Sequence, residues 1–428
     1  MRYPDYIEGK FSFPDFFRVR LTPPANLLRD PVREVEKQLM PALDRVRVCP
    51  GQTVALGVGS RGIANISEFI SCICKCIRKK GAVPWIIPSM GSHGSATPRG
   101  QVRVLEKLGI CPEECKARIH PEMDVKEISR ILGDVPVLFS SKALEADHSI
   151  CINRIKPHTK FKGPMESGLY KMMVVGMGKH QGALVYHNMA LKYGFFDLLK
   201  KMGDEIVARS NLCLGIGIVE DQLDRTLAVE VVPAREIAQK EPLLLEKAKA
   251  HFPGLPFQDI DILVIQQIGK EISGAGMDPN VTGRTYDFME DDFSKSLKAR
   301  RVTILGLSAG TAGNAIGLGN ADIITEKVFQ EMDYEATLMN ALTSMSLRKA
   351  FIPVRLPTEE KAVQASFQTI GPVDPDHVRA VIIKDTMHTM DFLVSRALIK
   401  EAEAIPQARI GNKNRLEFTP AGDLNPVF

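Results

Sequence analysis

Thr53-Val54-Ala55-Leu56-Gly57-Val58-Gly59, a helix-like run from Ile66 to Lys80 closed by Gly81, and Ala82-Val83-Pro84-Trp85-Ile86-Ile87-Pro88 follow one another in the chain. They read as strand, turn, helix, strand. That order is the signature of a βαβ unit in a parallel sheet. Further buried-strand candidates are Val135–Phe139, His148–Asn153 and Leu214–Val219. Pro and Gly cluster in His251-Phe252-Pro253-Gly254-Leu255-Pro256, which reads as a linker. The α/β rhythm restarts beyond it with strands at Asp261–Gln266, Val302–Leu307 and Val381–Lys384, and helical patterns over Ile323–Met345 and Ser395–Ala404. The expectation is an α/β protein of two domains, 1–254 and 255–404, with an active-site cleft between them. A tail, 405–428, is expected to pack back on the first domain.

Composition sets the class. Of 428 residues, 44% are hydrophobic and 25% charged, the profile of a globular chain. Lys and Arg number 55 and Asp and Glu 51, so the net charge of +4 is too small and too scattered for a nucleic-acid surface. No apolar run approaches the ~20 residues that span a membrane. The N-terminus lacks the apolar core of a signal peptide. These features predict a cytoplasmic protein whose eight cysteines are thiols. Cys72, Cys74 and Cys76 read as small buried hydrophobes rather than cluster ligands.

Several stretches could carry chemistry. Gly57-Val58-Gly59-Ser60-Arg61-Gly62 has the spacing of a dinucleotide fingerprint. The strand at Val83–Pro88 ends without an acid for a ribose, however, and Arg61 sits inside the turn. An anion-binding turn with Arg61 suits these residues better, against the alternative of a plain tight turn. His93 lies in Gly91-Ser92-His93-Gly94, directly after a strand, where α/β sheets place ligands. His158 follows another strand in Lys156-Pro157-His158-Thr159. Lys171 stands among Met and Val residues, and burial of that kind would lower its pKa and favour a nucleophilic amine, against the alternative of a snorkelling surface lysine, which is the common case. His180 and His187 are about two helical turns apart. Gln267 and Lys270 follow the first strand of the second domain and precede the loop Ser273–Arg284. No Cys-x-x-Cys or His-Glu-x-x-His pattern accompanies the histidines, which argues against structural zinc.

In this order the motifs resemble the lactate racemase family, over almost the whole chain and as a divergent member. The resemblance implies an isomerase that racemises or epimerises a 2-hydroxy acid with a nickel-pincer nucleotide, a pyridinium thioamide/thiocarboxylate mononucleotide carrying nickel. It implies Arg61 for cofactor and substrate anions, His93 and His158 as the acid–base pair, and Lys171 as the cofactor-bearing lysine. His187 matches the nickel ligand's spacing better than His180, and Gln267 and Lys270 match the family's substrate-binding pair. The implied partners are a small 2-hydroxy acid and cofactor maturation enzymes, with no nucleic acid and no membrane. Two other readings stand beside it: an NAD-dependent oxidoreductase built on Gly57–Gly62, and a non-catalytic binding protein on the same fold.

Overall fold

The computed structural model describes residues 3–22, 27–60, 62–285, 296–406 and 408–428. The described strands are β1 (Phe16–Leu21), β2 (Thr53–Val58), β3 (Val83–Pro88), β4 (Arg118–Ile119), β5 (Val125–Ile131), β6 (Val135–Ser140), β7 (His148–Arg154), β8 (Leu212–Glu220), β9 (Thr226–Pro233), β10 (Asp259–Ile265), β11 (Lys298–Ile304), β12 (Ile323–Thr325), β13 (Val354–Leu356), β14 (Ala380–Ile383), β15 (Asp391–Ser395) and β16 (Ala408–Asn414). The chain divides into two compact units, residues 25–252 and residues 1–24 with 253–428.

The unit 25–252 is built on a six-stranded sheet in the order β4-β3-β2-β7-β8-β9. All neighbours are parallel except β9, which runs antiparallel to β8. β2 is buried on both faces, which is why it reads as an unbroken apolar run. Val54, Leu56 and Val58 join the core cluster that includes Val35 and Leu39 of the helix Pro31–Arg45 and Phe69 and Ile73 of the helix Ile66–Lys79. Ala55 joins the opposite cluster, with Met172, Met177, Leu198 and Leu245.

The second unit carries an eight-stranded sheet in the order β13-β12-β11-β10-β14-β15-β1-β16. Its strands are parallel from β13 to β14, whereas β15, β1 and β16 are antiparallel. Leu263, Ile265, Val381 and Ile383 face one core cluster, and Ile262, Val264 and Ile382 the other.

The α/β class expected from the sequence is the one observed, but four local expectations change. Val135–Phe139 falls in β6, which pairs only with β5 in a two-stranded antiparallel ribbon outside the main sheet. The helix expected over Ile323–Met345 is a strand followed by two short helices. Ile323-Ile324-Thr325 is β-branched and wholly buried as β12. The hydroxyl of Thr325 and the carboxylate of Asp333 then cap the helices Glu326–Glu331 and Tyr334–Thr343. Ser395 ends β15 rather than opening a helix, so the α-helix there covers only Ile399–Glu403. Finally, the tail joins the second unit and not the first, because β16 pairs with β1, which itself pairs with β15.

Candidate functional site

In the unit 25–252 the crossovers from β2 lead through β3 to β4, and β7 lies on the other side of β2. The carboxyl ends of β2 and β7 therefore flank a topological switch point, the usual ligand position in such sheets. Ser60 follows β2, and its Oγ is 2.5 Å from Nδ1 of His93, brought there by the loop after β3. The loop is held from behind by the buried Gln101, whose Nε2 donates to the carbonyls of Gly91 at 3.0 Å and His93 at 3.3 Å. His93 itself is exposed. Arg61 lies outside the described residues.

The glycines of the Gly57–Gly62 run have a packing reason. A Cβ on Gly57 would stand 2.3 Å from Met177 Sδ, and one on Gly59 would stand 3.0 Å from Met172 Cε. The following helix starts at Ile66, beyond the glycine run rather than inside it. Gly57 and Gly59 thus admit the segment that follows Lys171 close against β2.

That segment is a π-helical turn, Met172–Gly176, entered directly from Lys171. Such turns widen the helix locally and recur at functional sites. Lys171 is half-buried, and its Nζ lies 2.7 Å from His158 Nε2. The other ring nitrogen of His158, Nδ1, accepts the backbone N–H of Lys160 at 3.1 Å. The imidazole of His158 thus meets the Lys160 N–H on one side and the Lys171 amine on the other. The loop is pinned by Glu166, whose buried carboxylate accepts the His158 N–H at 2.6 Å and meets Lys249 Nζ at 3.1 Å.

A row of rings links His158 to His187. His158 packs on Phe161 at 4.5 Å, Phe161 stacks on Phe195 at 5.6 Å, Phe195 meets Tyr186 at 6.2 Å, and Tyr186 meets His187 at 5.3 Å. His187 is exposed by surface area, yet crowding by protein and the charges of Lys171 and Lys160 pull its pKa down to about 4. It is neutral at pH 7, with a nitrogen lone pair available to a metal. Among the described residues, no group of three or more His, Cys, Asp and Glu side chains could hold a metal ion.

Sequence reasoning gave little weight to Lys179 and missed Glu241. Lys179 is fully buried, donates to the Pro88 carbonyl at 2.7 Å, and has its pKa lowered by burial to about 8. Glu241 is buried beneath the turn that precedes Lys171 and accepts the Tyr170 N–H at 3.0 Å. Neither stands in a recognisable motif. His180 is half-buried, and its buried Nδ1 has no hydrogen-bond partner.

In the second unit, Gln267 and Lys270 lie past the carboxyl end of β10. The Gln267 Nε2 donates to Asp385 Oδ2 at 3.1 Å, and the Lys270 N–H donates to Thr311 Oγ1 at 3.1 Å. Asp385, just past β14, was not among the sequence candidates.

Solved structures share this fold. The lactate racemase apoprotein from Thermoanaerobacterium thermosaccharolyticum matches over 91% of this chain and 96% of its own, with a TM-score of 0.52 at 12% identity. A protein from Thermotoga maritima matches over 84% of this chain and 98% of its own, with a TM-score of 0.50 at 12% identity. Neither a protein-family model nor a curated protein sequence matches the chain. At this identity the likeness is one of fold. All eight cysteines are free thiols, and no helix among the described residues is long and apolar enough to cross a membrane.

Proposed function

We propose that this chain is a racemase or epimerase of a 2-hydroxy acid, working with a nickel-pincer nucleotide in the manner of lactate racemase. The observation that carries the reading is the contact between His158 Nε2 and Lys171 Nζ beside a neutral His187, in a chain whose fold is that of a lactate racemase apoprotein. Inverting such a substrate means breaking an unactivated Cα–H bond, and no histidine is a strong enough base to take that hydrogen as a proton. A nickel-pincer nucleotide, when bound, supplies a hydride acceptor in place of that base. The chain's own groups do the rest. Lys171 is the tether, and His187 is the protein's nickel ligand. His93 and His158 take and return the hydroxyl proton, one for each face of the planar ketone. Arg61 binds the carboxylate, which is a positioning contribution, and Gln267 and Lys270 are the substrate-binding pair of the second unit. Maturation enzymes that build the cofactor are the implied partners, and a reducing cytoplasm suits the free thiols.

The test is racemisation in deuterated water by protein co-produced with maturation enzymes. Hydride transfer keeps the Cα hydrogen out of solvent, so the product carries little deuterium at Cα. His93→Ala and His158→Ala each lower the rate by about 10²–10⁴. Rapid deuterium uptake at Cα would sink the reading and make the two histidines direct carbon bases.

A further inference from the structure

The large apolar side chains left at the surface are not spread evenly. Among the described residues there are sixteen, and eight of them fall in one stretch of the second unit, 334–354. Scattered singly such residues are ordinary, but gathered together they mark a contact surface. In the helix Tyr334–Thr343 the buried side is made by the small residues Thr337 and Ala341. The bulky ones, Tyr334, Met339 and Leu342, are 53%, 57% and 51% exposed. A solvated helix does the reverse and turns its polar face to water. The Ser346 N–H then bonds the Ala341 carbonyl, which folds the next turn, Leu347–Ala350, onto the helix end. From that turn the chain passes Phe351 and enters β13, the edge strand of the sheet, at Val354; these two are 60% and 64% exposed.

Three observations identify a second copy of this chain as the partner that covers this face. The first is size. The exposed surface of the eight residues is roughly 800 Å², about what each partner gives to a standard stable interface, and above the roughly 300–600 Å² of the largest apolar patch on an ordinary monomer. The second is charge. Asp333 and Glu335 are exposed at the start of the helix, and Arg348 is exposed beyond its end. A two-fold axis near Leu342 runs the two helices antiparallel and sets the acidic end of each copy against the basic end of the other, so the face is complementary to itself. The third is closure. The Val354 N–H donates into the sheet, to the Asp322 carbonyl. By alternation the outward positions along β13 are Pro353, Arg355 and Pro357, and the two prolines have no N–H to offer. The strand edge thereby resists open-ended pairing, and association through side chains stops at two copies.

We propose that this apolar face is the interface of a two-fold homodimer, built in each copy from the helix Tyr334–Thr343 and the segment Leu347–Val354. The proposal uses no residue of the candidate site and stands apart from the isomerase reading.

Sedimentation velocity on the full chain over a dilution series tests it. The expected result is a reversible dimer at micromolar concentration. Leu342→Glu and Phe351→Glu lie in different segments of the face, and each weakens the dimer roughly thirtyfold or more, the effect of losing a central interface residue. The melting temperature of the diluted monomer stays unchanged in both, because the substituted side chains face solvent in a single copy. Glu335→Arg and Arg348→Glu each weaken the dimer, and the two combined in one chain restore it. A wild-type chain that stays monomeric throughout overturns the proposal. A dimer that neither Leu342→Glu nor Phe351→Glu weakens also overturns it, because the copies then meet on another surface.

Discussion

Glu241 has the most unusual environment of any single acid near the candidate site. It lies in the helix Ile237–Ala250, and one of its oxygens is buried with no hydrogen-bond partner. Burial pushes its pKa up to about 8, against hydrogen bonds from the Tyr170 and Leu169 N–H groups that lower it. Below the ordinary value of 4.5 the folded and unfolded chains are both protonated, and the full stability is present. Between 4.5 and about 8 the unfolded chain releases a proton that the folded chain keeps, so stability falls as pH rises. Glu241→Gln keeps an acceptor for Tyr170 and removes the titration. It should stabilise the protein at pH 8 by a few kcal/mol (the shift corresponds to roughly 1.4 kcal/mol per pH unit), with the gain vanishing below pH 4.5. Melting curves across that range check it, and a pH-independent difference would contradict the burial argument. Nothing in Lys240-Glu241-Pro242 distinguishes this acid from a solvent-facing one, because its burial depends on where the Tyr170 turn docks. His93, His158, Lys171 and His187 stood out in the sequence as candidates because each stands beside a strand end or a helix with small or apolar neighbours.

At the scale of elements, the decisive contact is between β2 and the π-helical turn. Gly57 and Gly59 look like a phosphate cradle in the sequence, yet their missing side chains make room for Met177 and Met172. Gly57→Ala should cost about 1–3 kcal/mol, because the new methyl overlaps a buried sulfur. Met177→Ala removes that sulfur, so the two changes together should cost less than their sum. A double-mutant cycle by denaturant unfolding measures the coupling, and strict additivity would show that Met177 does not fill the space at Gly57. The helix expected across Ile323–Met345 failed for a related reason. A buried Ile-Ile-Thr triplet fits a strand or a helix equally well until a neighbouring strand, β11, is there to pair with it.

For the whole molecule, the informative strand is β1. Residues 16–21 enter the second unit's sheet between β15 and β16, far from their place in the chain. Phe16 is 1% and Val19 0% exposed. Deleting residues 1–22 should remove about 3–6 kcal/mol from burial of these two side chains and leave β15 and β16 without their shared partner. Hydrogen exchange should then rise across β14, β15 and β16, while the amides of β2 and β7 keep their protection. Equal loss of protection in both sheets would show that the two units unfold as one.

The sequence by itself determined the α/β class and most strands of the parallel sheets. These are local properties: a strand buried on both faces must be apolar throughout. It also marked the residues that follow strand ends. Only the tertiary structure decided which of them meet. The setting of the His158 ring depends on the Lys160 amide, the neutrality of His187 on surrounding protein and two lysines, and the orientation of Gln267 on Asp385, 118 residues away. Strands β1 and β16 came from the two ends of the chain, and their pairing is likewise invisible until the sheet is assembled. Such contacts follow from the packing of distant segments, and no local pattern of residue types encodes them.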